Sequence, residues 1–471
     1  MAVLEKIKQK TLRLAEYIAT EKNFTLFIIL TLLLIPLGEL ITNIHGTSFI
    51  SQTVIVAFAG WAGLIMSVSY FLERKRKYYP SDIFLGTLLL FALISYVFSA
   101  DGDETQFGYH YDEWLIHYIA YFTLMFAATN IRNIKYKKYI LAAYVAVTII
   151  NIIPAFFQSF GIWFQECYFL SLYHQLGKYS YAFTQNCNFY AGISTVFTAC
   201  STMLFLFAEK KSTRNFLLIV SIFSFYCSMS TGARIAIVGN ICFFLFMLVY
   251  EFIMCRKSGD RQRFRVHFRR IGVTVIGFTA VLFLVIGVCG KFKGDMGNTI
   301  NEIKAAKDEE GFDGFGSHRG YIWRIGLESV PDFWATGTGL DNYVYAFRYR
   351  PDFDSNTRYQ EKAHNEYLHI LVTEGAFALA NYLMLLFYAF FTGIKGSIKN
   401  CKKDSESCAV TWIFLVMFIA YTSQACFNSS VVNTTPYFWA VIGMVMTKDI
   451  QKPLGYRKKI KEIKLLSRNE V

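Results

Sequence analysis

Residues 24–40 read FTLFIILTLLLIPLGEL, seventeen residues whose one charge, Glu39, comes at the far end. A run this apolar has no polar face to turn toward water, and its length approaches the roughly 20 residues with which a helix crosses a bilayer. Similar blocks recur along the chain, as at 271–289. Of the 471 residues, 54% are hydrophobic and 17% charged, against about a quarter charged in soluble domains. The aromatic content is high as well, with 46 Phe, 30 Tyr and 7 Trp. Apolar residues gathered into blocks exclude a soluble enzyme, a secreted disulfide scaffold and a disordered chain. The expected fold is all-α: a single integral membrane domain over 1–471, with about twelve transmembrane helices near 24–42, 49–72, 82–99, 114–130, 139–160, 187–207, 216–231, 235–254, 271–289, 376–394, 408–426 and 431–447. Pro436 shortens the last of these.

The excess of 47 Lys and Arg over 34 Asp and Glu would suit a nucleic-acid binder if it were clustered on one domain. Its distribution points elsewhere. The N-terminus, every second connection and the C-terminal tail hold 35 of the 47 basic residues, the richest connection being 255–270. The intervening connections are depleted or acidic, as at Asp101, Asp103, Glu104, Asp112 and Glu113. Basic residues accumulate on the cytoplasmic side of membrane proteins, where anionic lipid also attracts them. Both termini are therefore expected in the cytoplasm, and the charge needs no nucleic acid to explain it. The first 23 residues hold five Lys/Arg and lack a small-residue cleavage site, unlike a cleaved signal peptide.

Of the ten cysteines, most lie in or beside apolar runs, and there is no CxxC pair to suggest zinc or redox chemistry. Cys167 and Cys187 both fall on the expected exterior; the preferred reading is that they do not pair, free cysteine being an ordinary apolar filler.

One connection breaks the pattern of short turns. Residues 290–375 form an exterior loop with helical stretches at 298–309 and 321–330, too rich in Tyr, Phe and Trp for a tether, and loops of this length are commonly functional. Its aromatic residues are read as its own core in preference to sugar-stacking platforms. The cytoplasmic connections have no Walker sequence, and Gly337-Thr338-Gly339 reads as a turn, so a substrate on the exterior face must arrive already activated. His364 and His369 are five apart, about 140° around a helix, not the four that would make a zinc pair; no metal and no cofactor is expected. Arg234, in Ser230-Thr231-Gly232-Ala233-Arg234, is the one charge of a tight exterior turn. It reads either as an interfacial anchor or as a bidentate phosphate clamp. Ser317-His318-Arg319-Gly320 precedes Trp323, Pro331 and the Gly337–Gly339 turn, and Ala363-His364-Asn365-Glu366 precedes Glu374-Gly375. Eleven residues separate His364 from Gly375, which one continuous helix would place within 20° of the same face, with the glycine admitting a close neighbour.

These pieces resemble the O-antigen ligase and polymerase superfamily of bacterial membrane glycosyltransferases. The family's His, then Asn/Ser/Gln, nine residues, then Gly/Thr/Tyr is matched by His364-Asn365, residues 366–374 and Gly375. The arginine between two spans is similar to Arg234, although the family's usual Ser-Arg-Gly stands here as Gly-Ala-Arg-Ile. The Arg–Trp–Pro–Gly-x-Gly stretch is similar to Arg319, Trp323, Pro331 and Gly337 to Gly339. The Phe-x-x-x-x-Asn segment is similar to Phe183 through Asn188, and Gln158-Ser159-Phe160-Gly161 also fits that region. The resemblance covers 158–375.

It implies a glycosyltransferase C-like enzyme of the bacterial inner membrane, in polysaccharide, lipopolysaccharide or capsule biosynthesis. Its donor would be an oligosaccharide on undecaprenyl diphosphate and its acceptor a glycan, lipid or protein hydroxyl, with membrane lipids and a chain-length regulator as further partners. His364 would be the catalytic base, Arg234 and Arg319 the diphosphate ligands, and Asn365, Gly375 and Asn188 supporting residues, with transfer inverting and independent of metal. Polymerase is favoured over ligase on family breadth. The alternative is a multi-pass transporter or a flippase for lipid-linked oligosaccharides, which would bury ionisable groups near the midplane; Glu39 and His117 are the main mid-span exceptions in a sequence that otherwise keeps them out.

Overall fold

A computed structural model describes residues 2–42, 50–72, 77–100, 113–162, 178–184, 186–258, 261–292, 295–306, 309–350, 360–401 and 405–454. Among them there is no strand. An amphipathic helix, α1 (Ala2–Ile18), precedes the first apolar run. Then follow α2 (Glu21–Thr42), α3 (Ile50–Leu72), α4 (Pro80–Val97), α5 (Leu115–Thr129), α6 (Ile134–Gln158), α7 (Cys187–Phe207), α8 (Lys211–Ser230), α9 (Arg234–Ser258) and α10 (Arg261–Leu282), the last extended by a π turn, Phe283–Val288. The large loop contributes α11 (Asp295–Ala305), α12 (Glu309–Phe333), α13 (Val344–Arg348) and α14 (Glu366–Glu374). The chain returns to the bundle with α15 (Ala376–Cys401), α16 (Ser405–Thr422) and α17 (Thr435–Val445).

Each of the twelve expected segments coincides with a helix, and among the described residues nine helices are long and apolar enough to cross a membrane. The remaining three are α5 and α17, with 15 and 11 residues, and α8, which opens on the polar turn Lys211 to Asn215. Short α17 carries Pro436 in its first turn, where proline is tolerated because its missing N–H has no helical partner there. It is preceded by an irregular stretch, 423–434, containing a single 3-10 turn. Non-helical backbone at that depth is stable only when protein surrounds it, and here Ala425, Asn428, Ser429, Val431 and Asn433 are all buried.

α7 lies at the centre, with 94% of its apolar window buried. It is joined to antiparallel α8 by paired hydroxyls: Ser194 with Ser228 at 2.9 Å, Thr198 with Ser224 at 2.9 Å, and Thr202 with Ser221 at 2.7 Å. Small hydroxylated side chains let helix backbones approach in an apolar medium, where no hydrophobic force draws helices together. The ladder fixes the turn 231–234, and with it Arg234. Large apolar side chains such as Leu26, Leu30 and Leu34 on α2, or Phe58, Trp61 and Ile65 on α3, stay exposed, as lipid-facing positions do.

The connections gather at two ends. At one end, the Lys448 ammonium is buried between Asp82 (2.5 Å), the Tyr70 hydroxyl (2.7 Å) and Asn130 (3.0 Å), Lys137 meets Asp449 at 3.0 Å, and Lys138 meets Glu406 at 2.6 Å. Cys401 and Cys408 are joined there as well, a pairing that cysteine spacing did not suggest. At the other end lie the 231–234 turn, the head of α7 and the large loop. The loop has its own small core, in which Ile322, Ile325, Tyr343 and Phe347 pack with Leu368 and Val372 of α14. This matches the reading of its aromatics as core, although Trp334 and Tyr349 remain exposed.

The charge bias predicts a cytoplasmic location for the basic end, and labelling tests this. In a cysteine-depleted background, a membrane-impermeant maleimide applied to spheroplasts is expected to modify Lys304→Cys and to spare Lys211→Cys. Labelling of the second alone would reverse the topology.

Candidate active site

Asn365 starts α14. Its backbone is extended, and its side-chain oxygen accepts from the N–H groups of Tyr367 and Leu368, both at 3.1 Å, so that two amides left without helical partners are satisfied. His364 therefore stands just before the helix, at φ +49°. A non-glycine residue in that region costs on the order of 1–3 kcal/mol and persists only where its surroundings over-determine it. At the far end Gly375, at φ +89°, stops the helix before α15 begins. The expectation that one helix carries His364 and Gly375 on a single face is thereby corrected: α14 spans only Glu366–Glu374, and the two residues mark its ends. The same cap means that the helical angle assumed between His364 and His369 does not apply.

Gly375 does admit a close neighbour, which is backbone. A Cβ there would lie 2.5 Å from the Ala335 carbonyl oxygen, and one on Gly337 would lie 2.2 Å from the Thr373 carbonyl. The amides of Thr338, Gly339 and Ala376 donate to the carbonyls of Val372, Thr373 and Trp334 at 2.8, 3.0 and 2.7 Å. The glycine turn after Pro331 is thus spliced to the end of α14.

What over-determines His364 lies on either side of it. Two residues upstream, the buried Lys362 ammonium sits 2.5 Å from Glu113 before α5 and 2.5 Å from Asp341 in the loop. Tyr121 donates to the other oxygen of Glu113, and His369 Nε2 is 3.2 Å from Asp341. Two residues downstream, the buried carboxylate of Glu366 accepts from the hydroxyls of Tyr382 on α15 and Tyr421 on α16, the latter at 2.9 Å. Trp323 donates to the Ala363 carbonyl at 2.9 Å. Burial opposes the charge on Lys362, yet Asp341 and Glu113 hold its pKa above the ordinary value. Burial also pushes Glu374 up to about 8, with help from Glu113 and Asp341. Glu366, His369 and Glu374 line a cavity of about 40 Å³, space for a few waters at roughly 10–15 Å³ each.

Arg319 follows a strained turn. Gly316, Ser317 and His318 have φ of +63°, +61° and +70°, folding the two halves of α12 against one another. Gly320 makes this crossing possible, because a Cβ there would meet the Phe312 carbonyl oxygen at 1.6 Å. Arg324 bridges the halves through Asp313, Nη2 to Oδ2 at 2.6 Å. Arg234, at the head of α9, forks onto Glu302 of α11: Nη1 to Oε2 at 3.0 Å and Nη2 to Oε1 at 3.4 Å.

His364 feels the charge of Arg319, and Arg319 that of Arg234. Burial, and next the Arg319 guanidinium, lowers His364 to about 4. Burial, and next Arg234, lowers Arg319. His364 Nδ1 lies 3.3 Å from the Ser429 hydroxyl, on the irregular stretch before α17. The side chains of Asn428 and Gln424 in that stretch pack on Gly192 of α7. Asn188, half-buried, is one turn earlier on α7, where its N–H donates to the Asn186 side chain at 2.8 Å; that bond helps to start the helix and puts Asn188 beside the site without assigning it a ligand.

Residues 216–383 match a family model described as O-antigen ligase. The chain carries a domain of the O-antigen ligase and polymerase superfamily. It is, in general terms, a membrane glycan transferase of the ligase or polymerase type, acting on lipid-linked oligosaccharide and an acceptor. No curated protein matches the chain. The ligase domain contains Arg234, Arg319, His364, Asn365 and Gly375, while Asn188 precedes it.

Within the ligase domain, Lys362, Asp341, Glu302 and Glu366 were not legible in the sequence as partners. Each is an ordinary charge until a counter-charge or, for Glu366, two tyrosine hydroxyls arrive from other elements. His117, singled out for its position in a span, is structural: Nδ1 accepts from the Trp114 N–H at 2.8 Å, and Nε2 meets the Thr53 carbonyl at 3.0 Å. The side chain of Glu39 and the whole of Cys167 lie outside the described residues. Among the described residues, no three His, Cys, Asp or Glu side chains converge as metal ligands do. A cleft of about 720 Å³ opens at the basic end, lined by Lys138, Lys210, Arg270 and Glu406, away from the elements that carry His364.

Removing one partner of a buried ion pair costs about 3–5 kcal/mol, because the other charge stays behind unpaired. Lys362→Met is therefore expected to lower the thermal midpoint of the detergent-solubilised protein sharply. Adding Glu113→Gln and Asp341→Asn to it should restore part of the loss.

Proposed function

We propose that this protein transfers a glycan from undecaprenyl diphosphate to an acceptor hydroxyl on the extracytoplasmic face of the bacterial inner membrane. The observation that carries the reading is the gathering of the three residues at the end of the bundle opposite the basic connections: Glu302 binds Arg234 and the Gly316 N–H of the turn that leads into Arg319, and the Arg319 charge reaches His364. The acceptor oxygen attacks the anomeric carbon, the bond from that carbon to the diphosphate oxygen breaks, and the diphosphate leaves with the electron pair. With Nδ1–H donating to Ser429, the lone pair on His364 Nε2 takes the hydroxyl proton. A single displacement of this kind inverts the anomeric centre. Charge that develops on the leaving diphosphate falls between two guanidinium groups already in place, a preorganisation worth more at a water-poor site than in water. Two arginines supply the positive charge that a divalent metal would otherwise bring, so transfer should survive a chelator. Polymerisation is the favoured outcome, with a second lipid-linked repeat as acceptor; nothing around His364 discriminates between acceptors.

Transfer from a synthetic undecaprenyl-diphosphate oligosaccharide, assayed in detergent with EDTA present, tests this. A flippase has no measurable activity there. His364→Ala should abolish product while leaving a monodisperse protein, and unchanged product would remove His364 from the chemistry. A product ladder on the carrier identifies a polymerase; a single finished conjugate identifies a ligase.

The pH profile provides a second check. In the empty enzyme His364 titrates at about 4, so kcat/KM should hold constant as pH falls from 8 and decline only through that value. Bound diphosphate neutralises Arg319 and adds negative charge nearby, which raises the histidine. The acid limb of kcat should therefore lie at higher pH than that of kcat/KM. The reverse order would contradict the assigned base.

A further inference from the structure

The Glu302 carboxylate occupies the Arg234 fork in the same two-point geometry that a phosphate would use. Its Oε2 also accepts from the Gly316 N–H at 3.3 Å, the first of the three left-handed residues that lead into Arg319. One carboxylate thus holds Arg234 and braces the strained turn that presents Arg319, two guanidinium groups that repel each other. α11, which carries Glu302, packs chiefly on α12 and leaves Ile300 and Ile303 exposed.

We infer that Glu302 is an internal competing anion: it fills the arginine fork in the empty enzyme, is expelled by the donor diphosphate, and keeps the more weakly bound singly charged phosphate headgroups off the fork. The inference rests on the reading of Arg234 as a diphosphate ligand. An arginine fork at the membrane boundary faces a surface crowded with phosphodiester headgroups, each bearing one negative charge. A tethered carboxylate is present at an effective concentration in the millimolar range. It matches a phosphodiester in charge and geometry, so headgroups gain little by replacing it. A diphosphate carries more charge and enough oxygens to reach Arg234 and Arg319 together, so it displaces the carboxylate and quiets the repulsion between the arginines. Once expelled, Glu302 lies next to bound anion and is repelled from the site. After transfer, its return to Arg234 favours release of the carrier.

Equilibrium binding to the full-length protein in detergent tests this, with three lipid probes: undecaprenyl diphosphate, undecaprenyl monophosphate and phosphatidylglycerol. Glu302→Gln keeps the side chain's shape and removes its charge. It is expected to tighten binding of all three probes by a similar factor, about tenfold. Arg234→Gln is expected to weaken diphosphate binding at least tenfold. Weakened or unchanged diphosphate binding in Glu302→Gln, together with a loss in Arg234→Gln, overturns the competitor role and leaves the arginine reading in place. Unchanged diphosphate binding in Arg234→Gln overturns the arginine reading, and the inference with it. Hydrogen exchange on the wild type provides a readout free of folding defects. Undecaprenyl diphosphate should accelerate exchange of the α11 amides, and monophosphate at equal concentration should not; protection of α11 by diphosphate would overturn the inference.

Discussion

A lysine ammonium buried between two carboxylates holds the large loop to the membrane bundle. Lys362 reaches Glu113 at the head of α5 and Asp341 in the loop, with exposures of only a few per cent on all three side chains. The net contribution of such a cluster to stability is small, because desolvation consumes most of the Coulombic gain. Its contribution to geometry is larger. The two carboxylates come from separate elements, so pairing both with Lys362 ties the 360–365 segment to the bundle and to the loop at once, next to the positive-φ backbone of His364. Glu366 repeats the device on the other side through Tyr382 and Tyr421. The histidine is therefore held by polar contacts on both flanks and by the Trp323–Ala363 hydrogen bond, while its own ring meets the Ser429 hydroxyl and feels the Arg319 charge.

The arginines are positioned by unrelated means. Arg234 comes from the bundle, at the end of a hydroxyl ladder that sets α8 against α7. Arg319 comes from the loop, behind a turn of three left-handed residues. That they meet depends on how the loop seats, and the seating depends on backbone contacts that only glycine allows at positions 337 and 375. The family motifs are thus not three separate sites. The glycine turn and the end of α14 form one joint, and the arginine segments and the histidine are what that joint brings together.

Motif reading picked out His364, Arg319 and Arg234, which the fold gathers at one end of the bundle, and it fell short where partners were needed. The helical-face argument for His364 and Gly375 failed because it assumed a continuous helix, whereas an Asn cap and a positive-φ glycine close α14 after nine residues. Glu302 passed as one more charge on an amphipathic stretch. His117 drew notice for its position within a span and proved to be a satisfied cap. An ionisable residue's role is written in what faces it, and adjacent sequence rarely says what that is.

Sequence by itself determined the all-helical membrane architecture, the location of the helices, the two-ended sorting of charge and the exceptional loop. These are sums over contiguous residues: hydropathy accumulates along a run, and basic charge accumulates between runs. Tertiary structure alone decided that Lys362 pairs with a glutamate 249 positions away, that Glu302 fills the Arg234 fork, and that His364 precedes its helix. Each of these is a contact between elements that the chain brings together only after the helices have packed. Their energies depend on burial and on distances of a few ångströms, neither of which is a property of a stretch of sequence.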